Sequence, residues 1–248
     1  MEWEAPAVVL EARPHGEGGA VVSVLTEEFG RHAGLVKGGA SRGQAALWMP
    51  GTLIEARWVG RLPEQLGALS GELVHAAAAL AMADPLATAL LSSCCAIAAD
   101  ALPEREAHPL LFHDTVALVA TLARDTRLAV PDAVRWELRL LQELGYGLDL
   151  SACAVTGEAE ALPYVSPKSG RAVSEAGAGP FRDRLLPLPA FLRDDTAASG
   201  PADWAAGLRL TAVFLARDVF GARNRGMPGA RDRFADRVSL LASAGSDG

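Results

Sequence analysis

The chain has little sulfur, no long uncharged apolar run and no overall excess of positive charge, and each shortage removes a class of protein. Its three cysteines, Cys94, Cys95 and Cys153, are too few for a disulfide framework, and adjacent residues such as Cys94 and Cys95 are badly placed to bridge each other. A reducing, cytoplasmic setting is expected. No stretch of eighteen or more uncharged apolar residues occurs, so no membrane span is expected, and the start "MEWEAPAVVLEARPHGEGG" has acids where a secretory signal carries basic residues. The formal charge is −7, whereas affinity for a phosphate backbone comes mostly from Lys and Arg displacing counterions. Nor do the glycine clusters "HGEGG" and "KGGASRG" continue into Gly-Lys-Ser/Thr or open the helix of a βαβ unit, which argues against nucleotide hydrolysis.

What is present reads as two kinds of structure in succession. "APAVVLEAR", "GAVVSVLTE", "GRHAGLVKG", "GTLIEARWVG" and "LGALSGELV" are short, rich in Val and Leu, and punctuated by glycine turns, which predicts five strands and a small barrel. Glu27 to Gly30 predicts a hairpin between the second and third strands, with Gly30 supplying positive φ. From about residue 72 the periodicity becomes helical. Asp84 and Pro85 form an N-cap and first-turn pair ahead of Leu86, Leu90, Cys94 and Ile97. "HPLLFHDTVALVATLARD" follows, then "PDAVRWELRLLQELGYG" with Val134, Leu138 and Leu141 on one face; "DWAAGLRLTAVFLARDVFG" aligns Trp204, Leu208, Thr211, Leu215 and Val219, and a last helix carries Phe234, Val238 and Leu241. Strands first and helices afterwards imply an α+β chain, with a barrel over residues 1–74 and a helical domain over 75–248.

Charge is unevenly distributed. From Arg31 to Arg61 five basic residues face Glu55 alone, and from Arg209 to Arg237 seven arginines face Asp218, Asp232 and Asp236, so each window nets +4. Gly39-Ala40-Ser41-Arg42-Gly43 spells the Gly-x-Ser-x-Gly of a hydrolase nucleophile elbow, but that elbow needs a strand-to-helix turn in an α/β sheet; a glycine-rich basic loop is the simpler account. The histidines show neither His-x-x-His nor His-Glu-x-x-His spacing. "SACAVTGEAEALPYVSPKSG" has the form of a zinc knuckle, yet Thr156 stands where the partner of Cys153 belongs, and one sulfur cannot hold structural zinc.

"LRLLQELGYGLDLSACAVTG" followed by "YVSPKSGRAV" resembles the bacterial RecO family of recombination mediators, in which a helix ending in Leu-Gly-Tyr runs into a Cys-x-x-Cys-Gly knuckle and then a Ser-Pro-x-x-Gly-Gly hairpin. "VLEARPHGEGGAVVSVLTEEFGRHAGLVKGGASR" is similar to the family's first strands, and "PEREAHPLLF" also matches its pattern. The resemblance spans about residues 5 to 220. It implies a five-stranded OB-fold barrel followed by an all-helical domain. The knuckle at 151–176 is then degenerate and metal-free, Val173 and Ala176 falling about where the third and fourth ligands would stand, and no cofactor is expected.

It further implies a protein that is not an enzyme, binds single- and double-stranded DNA, anneals complementary strands, and with RecR helps load RecA onto DNA coated by single-stranded-DNA-binding protein. The expected DNA contacts are Arg31, His32, Lys37, Arg42, Arg57 and Trp58, with Trp48 a further stacking candidate. Arg31 and Lys37 are an even number of residues apart and so share a strand face. The acidic, apolar carboxyl-terminal tail of single-stranded-DNA-binding protein calls for a cation beside an apolar groove, for which Arg124, Arg127, Arg135 and Arg139 are candidates. A protein-only adaptor and a serine hydrolase acting through Ser41 are the alternatives.

Overall fold

The computed structural model describes residues 1–41, 43–62 and 65–244. The chain divides into two compact units, 1–129 and 130–248.

The first unit is built on a closed barrel of β1 (Glu2–His15), β2 (Gly19–Thr26), β3 (Gly30–Val36), β4 (Leu53–Val59) and β5 (Gly67–His75), hydrogen-bonded in the order β1-β2-β3-β5-β4. All five predicted strands are present, and this is the five-stranded OB-type barrel that the resemblance implied. β2 and β3 form the expected hairpin, in which Thr26 faces Gly30. Gly30 has φ +61°, and a Cβ there would collide with the carbonyl of Glu106, so only glycine fits. β1 runs along both β2 and β4, with a register shift between Val9 and Glu11. At that bulge the Val9 amide donates to the Thr52 carbonyl at 2.9 Å and the Gly51 amide to the Val9 carbonyl at 2.7 Å. The extra residue is Leu10, and these bonds beside it tie β1 to the segment that leads into β4.

Inward residues of the barrel alternate with outward ones. Trp3, Ala7, Val9, Val22, Val24, Ile54, Ala56, Trp58 and Leu69 are buried, and Trp48, from the segment between β3 and β4, packs into the same core. Val8 and Leu10, on the other face of β1, are buried too. Three helices complete this unit: α1 (Ala77–Ala81), α2 (Pro85–Ala101) and α3 (Pro109–Arg124). Asp84 caps α2 by accepting from the Leu86 amide at 2.8 Å, and Leu90, Cys94 and Ile97 lie on its buried face, with Leu86 only half-covered. The Cys95 thiol reaches the carbonyl of Val9 at 3.7 Å.

In the second unit the core is formed by α4 (Thr126–Glu143), of which residues from Val130 onward belong here, α6 (Pro201–Phe214) and α7 (Gly229–Ala244). The predicted stripe Trp204, Leu208, Thr211, Leu215 and Val219 is buried throughout, its last part in a π-helical turn over Leu215–Phe220. Phe234 and Val238 are buried on α7, and Val134 and Leu141 on α4. A three-stranded sheet of β6 (Tyr164–Val165), β7 (Ala172–Val173) and β8 (Leu186–Pro187), with β6 in the middle, and the short α5 (Glu175–Ala178) carry the knuckle segment.

Candidate functional site

Strand parity sorts the sequence candidates. Along β3, Gly30, His32, Gly34 and Val36 are buried while Arg31, Ala33 and Leu35 face outward, and Lys37 continues the outward set as an exposed residue. Arg57 and Val59 likewise face outward on β4, between the buried Ala56 and Trp58. Lys37 and Arg57 line one groove of about 390 Å³, flanked by Leu35, Val59, Ser70 and Trp48. The barrel thus brings these two cations together. Arg42 lies outside the described residues.

The same parity turns His32 and Trp58 inward: both are buried in the barrel and neither lies on its outer face. Trp58 is fully buried and its indole N–H donates to the Ala33 carbonyl at 3.1 Å. Phe29, Trp3 and Trp58 form a stacked column, with ring centroids 4.8 Å and 6.3 Å apart, and His32 meets Trp3 and Trp58 edge-on at 5.2 Å and 4.8 Å. Burial, reinforced by the charge of Arg105, holds the imidazole below its ordinary value of 6.5, so it is neutral at pH 7. Trp48 is buried as well, although it lines the groove.

Two arginines already have acidic partners. The Nε of Arg31 donates to the Leu102 carbonyl at 2.9 Å and Nη1 lies 3.4 Å from Glu104; its side chain is only 17 % exposed. Arg31 therefore fastens the segment after α2 to β3, where the Arg105 amide also donates to the Arg31 carbonyl at 2.8 Å. Arg57 is bonded to Glu2 at 2.7 Å and stands 3.2 Å from Glu4. The β1–β4 register, which sets Glu4 opposite Arg57, produces that pairing, and strand order is the signal needed to foresee it.

The knuckle segment keeps its shape around one sulfur. Cys153 is buried, and its Sγ accepts from the amides of Val155 and Thr156 at 3.4 Å each, from the Ser174 amide at 3.2 Å and from the Ser174 hydroxyl at 3.3 Å. The Thr156 and Ser174 hydroxyls lie 3.3 Å apart. Burial alone would raise the thiol, but the Ser174 and Thr156 donors outweigh it and hold the group at about 6. Ser174, one residue from the position assigned to a ligand, was missed in the sequence. Ser166 to Gly170 form the expected tight tip, with Gly170 at φ +70° and its amide donating to Ser166 at 2.9 Å. Among the described residues, no three His, Cys, Asp or Glu side chains converge as a metal site would require.

Of the tail-binding candidates, Arg124 and Arg127 are exposed in the first unit. Arg124 follows Val116 and Ala120 at helical spacing, and those two line an apolar crevice of about 190 Å³ with Val8, Leu53, His75 and Val119. In the second unit Arg135 donates twice to the Phe191 carbonyl, at 3.2 Å and 3.1 Å, and once to Asp132 at 2.9 Å. Arg139 is half-buried and bonds Gln142 at 3.3 Å. Ser41 sits in the turns after β3 of a closed barrel, without the strand-to-helix elbow that a hydrolase requires. No helix among the described residues is long and apolar enough to cross a membrane.

Comparison with known proteins agrees over nearly the whole chain. Residues 1–77 match the family described as recombination protein O N terminal, and 82–226 the family described as recombination protein O C terminal. The chain is 53 % identical to the DNA repair protein RecO of Granulibacter bethesdensis over 242 residues, covering 97 % of each chain. It is 53 % identical to the protein of the same name from Gluconacetobacter diazotrophicus, covering 97 % of this chain and 96 % of the other. Against the protein of that name from Acidiphilium cryptum, the identity is again 53 %, over all of this chain and 99 % of the other.

Proposed function

We propose a mode of action for this chain, which belongs to the RecO family and so has a role in DNA repair and recombination: it binds single- and double-stranded DNA on the outer face of the barrel, anneals complementary strands, and with RecR helps RecA onto DNA coated by single-stranded-DNA-binding protein. Bond-making chemistry has no part in this reading. The observation that carries it is the groove shared by Lys37 and Arg57. Outward cations on a curved sheet can follow a phosphate backbone despite a formal charge of −7, because the field that a strand meets is local. Arg31 contributes indirectly, by holding the edge of β3 in place. Arg124, one and two turns along α3 from the crevice residues Ala120 and Val116, is the proposed receiver of the acidic tail, with Arg127 at the start of α4 a second cation, in keeping with an apolar pocket and a cation at its mouth.

The test is annealing of complementary oligonucleotides across a salt series, with and without single-stranded-DNA-binding protein. Expected is an acceleration that fades as salt rises and is weakened by Lys37→Glu. A rate indifferent to both would favour the second reading, a protein-only adaptor, which the neutralisation of Arg31 and Arg57 by Glu104, Glu2 and Glu4 supports.

A further inference from the structure

The barrel is closed unevenly. β3 and β5 run parallel and pair only at Gly34 with Gly67 and Leu35 with Ala68. Beyond that seam the β3 edge is occupied, since Arg31 bridges in parallel to Glu104. The β5 edge is not: from Leu69 to His75 it pairs with β4 on one side and, among the described residues, with no strand on the other. An unpaired edge is a template for another extended chain, and proteins usually blunt it with Lys, Pro or a covering loop. This one carries neither Lys nor Pro from Leu69 to His75; its single charge is the exposed Glu72, its register against β4 shifts at Val74, and Leu73 and Val74 are each 57 % exposed.

The Lys37 groove runs along the same edge, past Leu69, Ser70 and Gly71. Trp48 lines it while remaining 2 % exposed, and its indole N–H has no acceptor among the described residues. A buried donor left unsatisfied costs free energy, so a shift of the Trp48 ring that opened its N–H to the groove would be offset by a ligand that brings an oxygen.

We propose that β5 receives an extended segment of a partner protein, added as a sixth strand, with apolar side chains toward Leu73 and Val74 and an acidic side chain toward Lys37. The chemistry favours a peptide over a nucleic acid at this edge. Every second residue of β5 turns both an N–H and a C=O outward; a peptide backbone answers both, whereas a sugar–phosphate backbone carries acceptors only. The peptide shares Lys37 with the DNA reading above, so the two ligands compete, but the edge itself does not depend on that reading.

The test uses the full chain with two fluorescein-labelled probes: a capped heptapeptide of alternating valine and threonine ended by two aspartates, made in both chain directions, and an oligothymidylate. One peptide direction should bind, slow hydrogen exchange over Leu69–His75, and lose affinity about fivefold in Trp48→Phe, the loss expected for one neutral hydrogen bond. Trp48→Phe also removes ring volume from the barrel core, so its melting temperature should fall, and affinities are compared at a temperature where both proteins are folded. Lys37→Glu should weaken peptide and oligothymidylate alike. Peptides that do not bind, or that bind with unchanged exchange at β5, overturn the sixth strand whatever the oligothymidylate does. Loss of oligothymidylate binding in Trp48→Phe without peptide binding assigns the edge to nucleic acid instead. Oligothymidylate indifferent to Lys37→Glu, with peptide binding intact, refutes the DNA site alone.

Discussion

Arg231 and Glu137, on α7 and α4, form a two-pronged ion pair with both side chains almost wholly buried, 3 % and 2 % exposed. Nε meets Oε1 at 3.1 Å and Nη2 meets Oε2 at 3.1 Å. The Thr211 hydroxyl on α6 also donates to the carboxylate, and Arg231 donates to the Leu208 carbonyl. Three helices thus converge on one charged knot. Removing one partner strands the other charge in a dry interior, at about 3–5 kcal/mol. Arg231→Met should therefore lower stability by roughly that amount in urea unfolding, and the double variant Arg231→Met with Glu137→Leu should recover most of the loss. A single variant as stable as the parent would remove the knot from the account of this unit.

His32 is expected to make the barrel sensitive to acid. Burial, and then Arg105, holds its pKa below 6.5, while the unfolded chain titrates near the ordinary value. The unfolded state therefore takes up a proton first as pH falls. The group imposes no penalty above about pH 6.5, and destabilises progressively below it. Thermal melts at pH 7 and pH 5 should show a larger drop for the parent than for His32→Phe, which keeps the edge-on aromatic contact. Parallel drops would mean that other groups dominate.

The knuckle carries the opposite kind of group. Cys153 is held at about 6 in the fold against an ordinary 9.0, so its contribution to stability is full above the unfolded value, shrinks as pH falls between them, and is absent below about 6. Thiolate absorbance in the ultraviolet should show one cysteine titrating near 6, lost in Cys153→Ser. Ser174→Ala should move it upward, since that side chain supplies one of the four donors. Burial pushes Cys95 up to about 12, so it does not interfere.

Glycine substitutions separate packing from flexibility around Trp58. A Cβ on Gly67 would lie 2.4 Å from the indole, whereas one on Gly43 meets nothing within 4 Å. Gly67→Ala should cost about 1–3 kcal/mol through overpacking, and Gly43→Ala about 0.5 kcal/mol or less, each read from chemical unfolding. Equal costs would show that the ring relaxes out of the way.

How much of this was legible in the sequence follows from the range of each interaction. Strands, the Gly30 hairpin, the Asp84 cap and the Trp204 stripe depend on neighbours a few residues apart, so periodicity and turn chemistry suffice to find them. Glu137 and Arg231 are 94 residues apart, and nothing local marks a buried carboxylate in "VRWELRLL". The burial of His32 and Trp58 is legible too: the parity that joins Arg31 to Lys37 puts His32 on the other face, and Arg57 and Trp58, being adjacent, cannot both point outward. The acids that neutralise Arg57 needed the register of β1 on β4, which only the closed barrel supplies.

That register leads to a sharper expectation for DNA. Lys37 is exposed and its ammonium can meet a phosphate directly, whereas Arg57 must first leave Glu2 and Glu4. Lys37→Gln should lower affinity for a single strand and reduce the slope of log K against log salt by about 0.7, the value for one lost phosphate contact. Arg57→Gln should change both less. Glu4→Gln, which removes one of the two carboxylates that compete for Arg57 and leaves Glu2 in place, should raise affinity modestly. Fluorescence anisotropy over a salt series measures all three. Should Glu4→Gln leave affinity unchanged while Lys37→Gln abolishes it, the groove binds DNA through a single cation and Arg57 serves only to join β4 to β1.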